Sequence, residues 1–376
     1  MDFALSEEQL MLEDSVEKFI ANDYDFDTRQ KYAGSDRGYS RDVWQQFAEL
    51  GWTAVPFSEE DGGFGWGPVE IMLIMRQFGR GLVVEPYLAN IVLAGGVLRR
   101  LADAAQKADW LAPVIGGEAQ AALAHVEPQS RYELASVATT ATADGDDYLL
   151  SGRKGVTLNG GNADFLVVSA RTAGATTDPE GISLFVVPAD AAGLSRRAYP
   201  TVDGHQAAEI DLEDVRVPAA NRLGPDGQAL ETIVAVTNEA TLAVCAEAVG
   251  IMQIMTHKTV DYSKSRVQFG VPIGSFQALQ HRMVDMLTAC EQSYSLLLWA
   301  TMLAAEDASS EEAQRAVSSI KYQVGTAGKK VGQEAVQIHG GMGVTWELDI
   351  AHYFKRLTVI GQLFGNADYH LDRLAA

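Results

Sequence analysis

The side chains with chemistry to offer gather in a few stretches. Arg266-Val-Gln-Phe269-Gly270-Val-Pro272-Ile-Gly274-Ser-Phe276-Gln277 sets a guanidinium beside a loop that its glycines and proline keep from continuing as helix. A planar fork of N–H donors held in this way matches a phosphate. An arginine at a helix C-terminus can equally serve the helix dipole or an acidic neighbour. Gln337-Ile-His339-Gly340-Gly341-Met-Gly343 adds glycines that let the backbone come close to a ligand. His339 reads as a packing or hydrogen-bonding group rather than a catalyst. Glu239 and Glu247 lie in an apolar helical run, where glutamates are mostly solvated or salt-bridged. The two cysteines, Cys245 and Cys290, both fall in apolar helical patterns. They are expected in the core rather than in a disulfide or a metal site, and no metal site is predicted.

The elements that must carry these groups can be read from periodicity. Ser6 and Gln9 have the spacing of a capping box, after which Leu10, Leu12, Val16, Phe19 and Ile20 mark one helix face. A second helix is expected from Arg41 to Leu50. The glycine-rich run Asp61–Gly67 reads as a tight connection to a further helix beginning at Pro68, because no strand precedes it to make it a phosphate cradle. Helical patterns continue to about Ile115. From Ala121 the pattern turns to short apolar or alternating runs at 121–126, 148–150, 165–168, 182–187 and 208–212, punctuated by glycine, aspartate and proline. An exposed loop is expected at Thr172 to Gly181. After Leu223 helices return, with Leu279, Met283, Met286, Cys290, Tyr294 and Leu297 at spacings of three and four. The expected organisation is an N-terminal α-helical domain at 1–118, a middle β-barrel or sandwich at 119–222 and a C-terminal helical bundle at 223–376.

The 376 residues suffice for a large core in two or three layered units. Acidic residues outnumber basic ones by 50 to 29, a formal net charge of −21, which opposes attraction to nucleic acid or to an anionic membrane. A phosphate-bearing ligand must therefore meet local basic groups. No apolar stretch free of charge has the length of a membrane span, and the N-terminus lacks the basic and apolar regions of a secretory signal. A cytoplasmic location is expected.

The Arg266 and Gln337 stretches, the opening Met1-Asp-Phe-Ala-Leu-Ser-Glu-Glu-Gln9 and the segment Gly51-Trp-Thr-Ala-Val-Pro56 to Gly65 together resemble the acyl-CoA dehydrogenase family. The resemblance runs over the whole chain. It implies a helical domain, a β-barrel and a four-helix bundle, with FAD as cofactor and an acyl-CoA oxidised to a 2-enoyl-CoA. In that chemistry a carboxylate takes the proton next to the thioester carbonyl while hydride leaves for the flavin. It also implies that Arg266, Phe269, Gln337, Gly340 and Gly341 reach across a subunit interface to the neighbouring chain's flavin, and that an electron-transfer flavoprotein takes the electrons.

Several family positions are altered. Phe364 stands where much of the family has the catalytic glutamate, in Gly361-Gln-Leu-Phe364-Gly365-Asn366, and Ala240 stands at the alternative base position. The resemblance therefore leaves Glu239, turned by about 100° from Ala240, and Glu247, on nearly the same face but roughly 10 Å along the helix, as the candidates for a displaced base. Thr241 replaces an arginine found near the substrate in many relatives. In the middle domain Glu127 and Pro128 remain, but Val126 replaces threonine, Val156 an aromatic residue and Leu158 a hydroxyl near the flavin ring; Thr157 should point to the opposite face. A retained clamp with a depleted ring pocket suits a mixed dimer with one flavin per pair, and the stretches Glu239–Gly250, His352–Arg356 and Leu363–His370 look most like the small subunit of pimeloyl-CoA dehydrogenase, one of the α2β2 enzymes acting on pimeloyl or steroid side-chain CoA esters. A homotetramer with a displaced glutamate and a subunit that binds no flavin stay open as alternatives.

Overall fold

A computed structural model describes residues 4–375, so the first three residues of the opening motif lie outside the described residues. Helices come first: α1 (Glu7–Asp23), α2 (Phe26–Ala33), α3 (Arg41–Glu49), α4 (Pro68–Gly81), α5 (Gly95–Leu101), α6 (Ala104–Gln106) and α7 (Ala112–Ile115). Ser6 closes the expected capping box, its hydroxyl accepting the Gln9 N–H while Gln9 Oε1 accepts the Ser6 N–H. Asp61–Gly67 is indeed a connection, and Gly67 donates its N–H to Glu70 Oε2 at the start of α4. The stretch Leu88–Ala94 is π-helical and wholly buried.

The middle of the chain supplies β1 (Ala121–Ala124), β2 (Thr140–Asp144), β3 (Asp147–Leu158), β4 (Phe165–Arg171), β5 (Ile182–Pro188), β6 (Leu194–Pro200), β7 (Gln206–Pro218) and β8 (Arg222–Leu223). They form one eight-stranded sheet in the order β6-β7-β3-β2-β4-β5-β8, with β1 parallel to β4. The ladder ends at β6 and β8, so the expected barrel or sandwich is an open sheet that does not close on itself. Two residues in β8 offer too short an edge for a closing ladder, and β6 is a largely exposed edge bearing Arg196 and Arg197. One face buries Leu150, Val168, Phe185, Ile210 and Val217.

The remaining elements are α8 (Leu230–Ser265), a hairpin of β9 (Val267–Gln268) and β10 (Val271–Pro272), then α9 (Gln277–Asp307), α10 (Glu311–His339), α11 (Asp349–Ile360) and α12 (Ala367–Ala375). Helix α8 holds a window of mean hydropathy 1.4. Of that window, 72% is buried inside the protein, so its apolarity serves packing. Part of this packing is very close. A Cβ on Gly250 would lie 1.9 Å from the Arg76 carbonyl oxygen, and one on Gly79 2.1 Å from that of Glu247, so α4 and α8 touch backbone to backbone.

The chain packs as two compact units. One gathers the described parts of Met1–Lys31, Gly67–Val83 and Thr241–Ala376; the other gathers Tyr32–Trp66 and Val84–Ala240. The candidate residues divide between them.

Candidate active site

In the first unit α8 ends at Ser265 and the chain enters a two-residue hairpin. Phe269 and Gly270 take φ of 56° and 82°, the left-handed pair of a type I′ turn. Gln268 pairs with Val271 and Val267 with Pro272. The Ile273 N–H closes the loop on the Arg266 carbonyl at 2.8 Å. Arg266 is exposed, and its guanidinium has no hydrogen bond or ion pair among the described residues. Phe269 is 92% exposed at the tip, with its ring 6.1 Å from that of Phe276. A free guanidinium and an uncovered phenyl ring on a stiff turn face outward from this unit.

The second clamp stretch lies beside the end of the same helix. Tyr262, one turn before Arg266, stacks on His339 with ring centroids 4.3 Å apart, and His339 Nδ1 contacts the Ala335 carbonyl at 2.8 Å. His339 is buried and committed to packing. Gln337, Gly340 and Gly341 are exposed. Gly340 needs its left-handed φ of 61°, whereas a Cβ at Gly341 would meet nothing within 4 Å in this chain. These residues offer fork, backbone N–H groups and open space, which fits a pyrophosphate held from outside the unit.

The two glutamates are engaged elsewhere. In the first unit Glu247 is buried and bidentate with buried Arg356, Nε to Oε1 at 2.5 Å and Nη2 to Oε2 at 2.7 Å. In the second unit Glu239 takes Arg99 at 2.6 Å and Arg100 at 2.5 Å. Ala240 and Thr241 are buried. Phe364 is half-buried at φ 57°.

The residues expected beside a flavin ring belong to the second unit. Val126 and Val156 are 40% and 49% exposed, while Thr157 is buried with no partner for its hydroxyl among the described residues. The Gly155 N–H donates to the Val126 carbonyl at 2.7 Å, joining the two segments. Beneath them lies a network that periodicity did not reveal. Fully buried Lys154 donates to Glu127 Oε1 at 2.6 Å and to Ser169 Oγ at 3.1 Å. Glu127 also accepts the N–H groups of Ala138 and Thr139, and His125 Nδ1 meets Ser169 Oγ at 2.9 Å. The two segments are thus fastened from within, and the exposed side chains at 126 and 156 are valines, which carry no hydroxyl. The residues fit the nucleotide end of FAD, as a contribution outward, better than they fit its ring.

Burial leaves a pH signature. Desolvation, helped by the Lys154 charge, pulls His125 down to about 3; desolvation and the Lys321 charge pull His370 down to about 4. Burial works against the Glu127 carboxylate, but Lys154 and the hydrogen bonds hold it down at about 2. As pH falls below 6.5 the unfolded histidines take protons first, and below 4.5 the unfolded glutamate does, so every one of these groups removes stability in acid. A separation of one unit is worth about 1.4 kcal/mol, so the loss should total several kcal/mol on the order of magnitude. The urea midpoint is expected to fall steadily from pH 6.5 towards pH 3; a flat midpoint between pH 6.5 and 4.5 would show that the histidines do not titrate this way.

The sequence matches three family descriptions in succession: "Acyl-CoA dehydrogenase, N-terminal domain" over residues 6–118, "Acyl-CoA dehydrogenase, middle domain" over 122–215 and "Acyl-CoA dehydrogenase, C-terminal domain" over 230–376. The probable acyl-CoA dehydrogenase YngJ of Bacillus subtilis (strain 168) is 30% identical over 96% of each chain. Butyryl-CoA dehydrogenase from Megasphaera elsdenii superposes with a TM-score of 0.91 at 25% identity, over 100% of this chain and 99% of that one. A chain of the ChsE4-ChsE5 complex from Mycobacterium tuberculosis gives 0.89 at 25% identity, over 100% and 98%.

Proposed function

The chain belongs to the acyl-CoA dehydrogenase family of FAD-dependent oxidoreductases, and on that footing we propose that it is the small partner of a heteromeric acyl-CoA dehydrogenase in the cytoplasm. Bound FAD supplies the hydride acceptor for oxidation of an acyl-CoA to a 2-enoyl-CoA. This chain contributes Arg266, Phe269, Gln337, Gly340 and Gly341 to the nucleotide end of a flavin whose ring lies on the partner chain. The partner contributes the base, and pimeloyl or steroid side-chain CoA esters are the substrates to try first. An electron-transfer flavoprotein is the acceptor we assign.

The observation that carries this reading is an asymmetry. The exposed Arg266 guanidinium is unpaired among the described residues and stands on a locked turn, whereas Glu239 and Glu247 are bound by arginines and residue 364 is a phenylalanine. A clamp without a base suits a chain that completes another chain's site. The ChsE4-ChsE5 complex, with two differently named chains, supports the idea that this fold assembles in mixed pairs.

The test is the flavin-to-chain ratio from absorbance and mass, for the chain purified alone and after coexpression with the acyl-CoA dehydrogenase-like chain encoded beside it. Little flavin alone and one per mixed pair is the expected result. One flavin per chain when alone would favour a complete homotetrameric enzyme.

A further inference from the structure

A polar cleft in the second unit is lined by charges that do not neutralise one another. With a volume of about 560 Å³, it opens where the loop before α3, the β3–β4 and β5–β6 connections and β6 meet. That is the size of a small-molecule site. Arg37 and Arg196 line it together with Asp164 and Asp190, and Gly161, Ala163 and Ala189 are lining residues that fill little space. All four charged residues are exposed, and none makes an ion pair among the described residues.

The walls of the cleft are fastened by hydrogen bonds to the backbone. Asn162 Nδ2 donates to the Arg37 carbonyl at 2.8 Å and to Asn159 Oδ1 at 2.9 Å, tying the loop before α3 to the β3–β4 connection. Arg196 Nη1 donates to the carbonyls of Gly160 and Ala163 at 3.1 and 2.8 Å. Its guanidinium is thus fixed at one edge, while Nε and Nη2 make no hydrogen bond among the described residues. Asp164 is held on both sides: its N–H donates to the Gln120 carbonyl at 2.7 Å, and its carbonyl accepts the Ala189 N–H at 3.0 Å. Its Oδ2 accepts the Gln120 N–H at 2.8 Å. A Cβ on Gly161 would lie 2.5 Å from that of Ala198, so the connection is packed against β6.

Surface charges of opposite sign ordinarily gain a little by pairing. Here the bonds that build the walls keep them from it, and each charge stays available to a third party. Two guanidiniums and two carboxylates sum to zero, so a ligand that matches them carries both signs. The formal net charge of −21 points the same way, since it repels a free anion but not a molecule of no net charge. We propose that this cleft binds a small zwitterion, its carboxylate on Arg37 and Arg196 and its ammonium on Asp164 and Asp190. The cleft shares no residue with the Arg266 hairpin or the glycine loop, so the inference stands apart from the flavin-sharing reading.

The probes are glycine, 4-aminobutyrate and 6-aminohexanoate, which space the same two charges differently, with hexanoate and hexylamine as single-charge controls. Binding to the FAD-loaded assembly that the full-length chain forms, mixed or with itself, is followed by ligand-observed NMR titration. At least one zwitterion should bind about tenfold more tightly than either control, the scale of two exposed charge pairs. Arg37→Gln should weaken that zwitterion about threefold. Asp190→Asn should weaken it by a similar factor and strengthen hexanoate, because a like charge beside the carboxylate is removed. Lys18→Gln, which removes a charge outside the cleft, should change neither. A zwitterion bound no better than hexanoate, or bound equally well by the Arg37→Gln and Asp190→Asn variants, overturns the proposal. An assembly that ignores every probe also overturns it; if the same variants loosen that assembly, the cleft belongs to a partner chain.

Discussion

Alanine in place of Arg266 is expected to weaken flavin binding to the assembled protein about 10- to 100-fold, the range of one or two charge-assisted hydrogen bonds to phosphate. The guanidinium makes no hydrogen bond or ion pair among the described residues, so the substitution should change the stability of the chain by no more than about 0.5 kcal/mol. This separation of effects is what makes the experiment decisive. Titrating the flavin-free assembly with FAD gives the affinity, and urea unfolding gives the stability. Arg266→Lys keeps the charge but not the fork, and should fall between the two. An unchanged affinity in Arg266→Ala would reduce the hairpin to architecture and remove the main support for the shared-flavin reading.

The second large effect concerns Glu247. Replacing Arg356 with alanine leaves a carboxylate buried and unpaired, and is expected to cost about 3–5 kcal/mol. Glu247→Gln should also destabilise, because it strands the guanidinium, while leaving the acyl-CoA turnover of each folded assembly unchanged. The two readouts answer different questions. A turnover lowered by about 100-fold or more with stability intact would instead mark Glu247 as a general base. The geometry favours the structural outcome: both carboxylate oxygens already receive N–H groups of Arg356, at 2.5 and 2.7 Å.

What could be read in the sequence follows from the range of the interactions involved. The α1 capping box, the start of α4 at Pro68 and the long α9 were legible because a cap and a 3.6-residue repeat are local. The strands β4 and β5 were legible because they are almost wholly buried and apolar. The strands β2 and β6 were not, since most of their residues are exposed and carry no alternation. The choice between barrel and sandwich stayed open for a related reason: whether two end strands meet is a property of the whole ladder. At the site, the left-handed turn could be suspected from Phe269-Gly270, but the partners of Glu247 and Glu239 are 109 and about 140 residues away in the chain. No spacing rule reaches that far. The Lys154–Glu127 network had one visible signal, a lysine inside a strand run, and only the fold shows it to be fully buried.

Arg171 gives the exposed 172–181 loop an unusual character. Its guanidinium collects six main-chain carbonyls, those of Ala135, Val137, Ala173, Thr176, Asp178 and Glu180. Solvent exposure and freedom to move, which usually go together in a loop, are separated here. A protease needs several residues to unfold into its cleft, and this segment can yield them only by breaking contacts to one shared cation. The same tether makes it a poor place for an inserted tag, although its exposure would recommend it. Lengthening the loop would pull on two segments of the sheet's periphery at once.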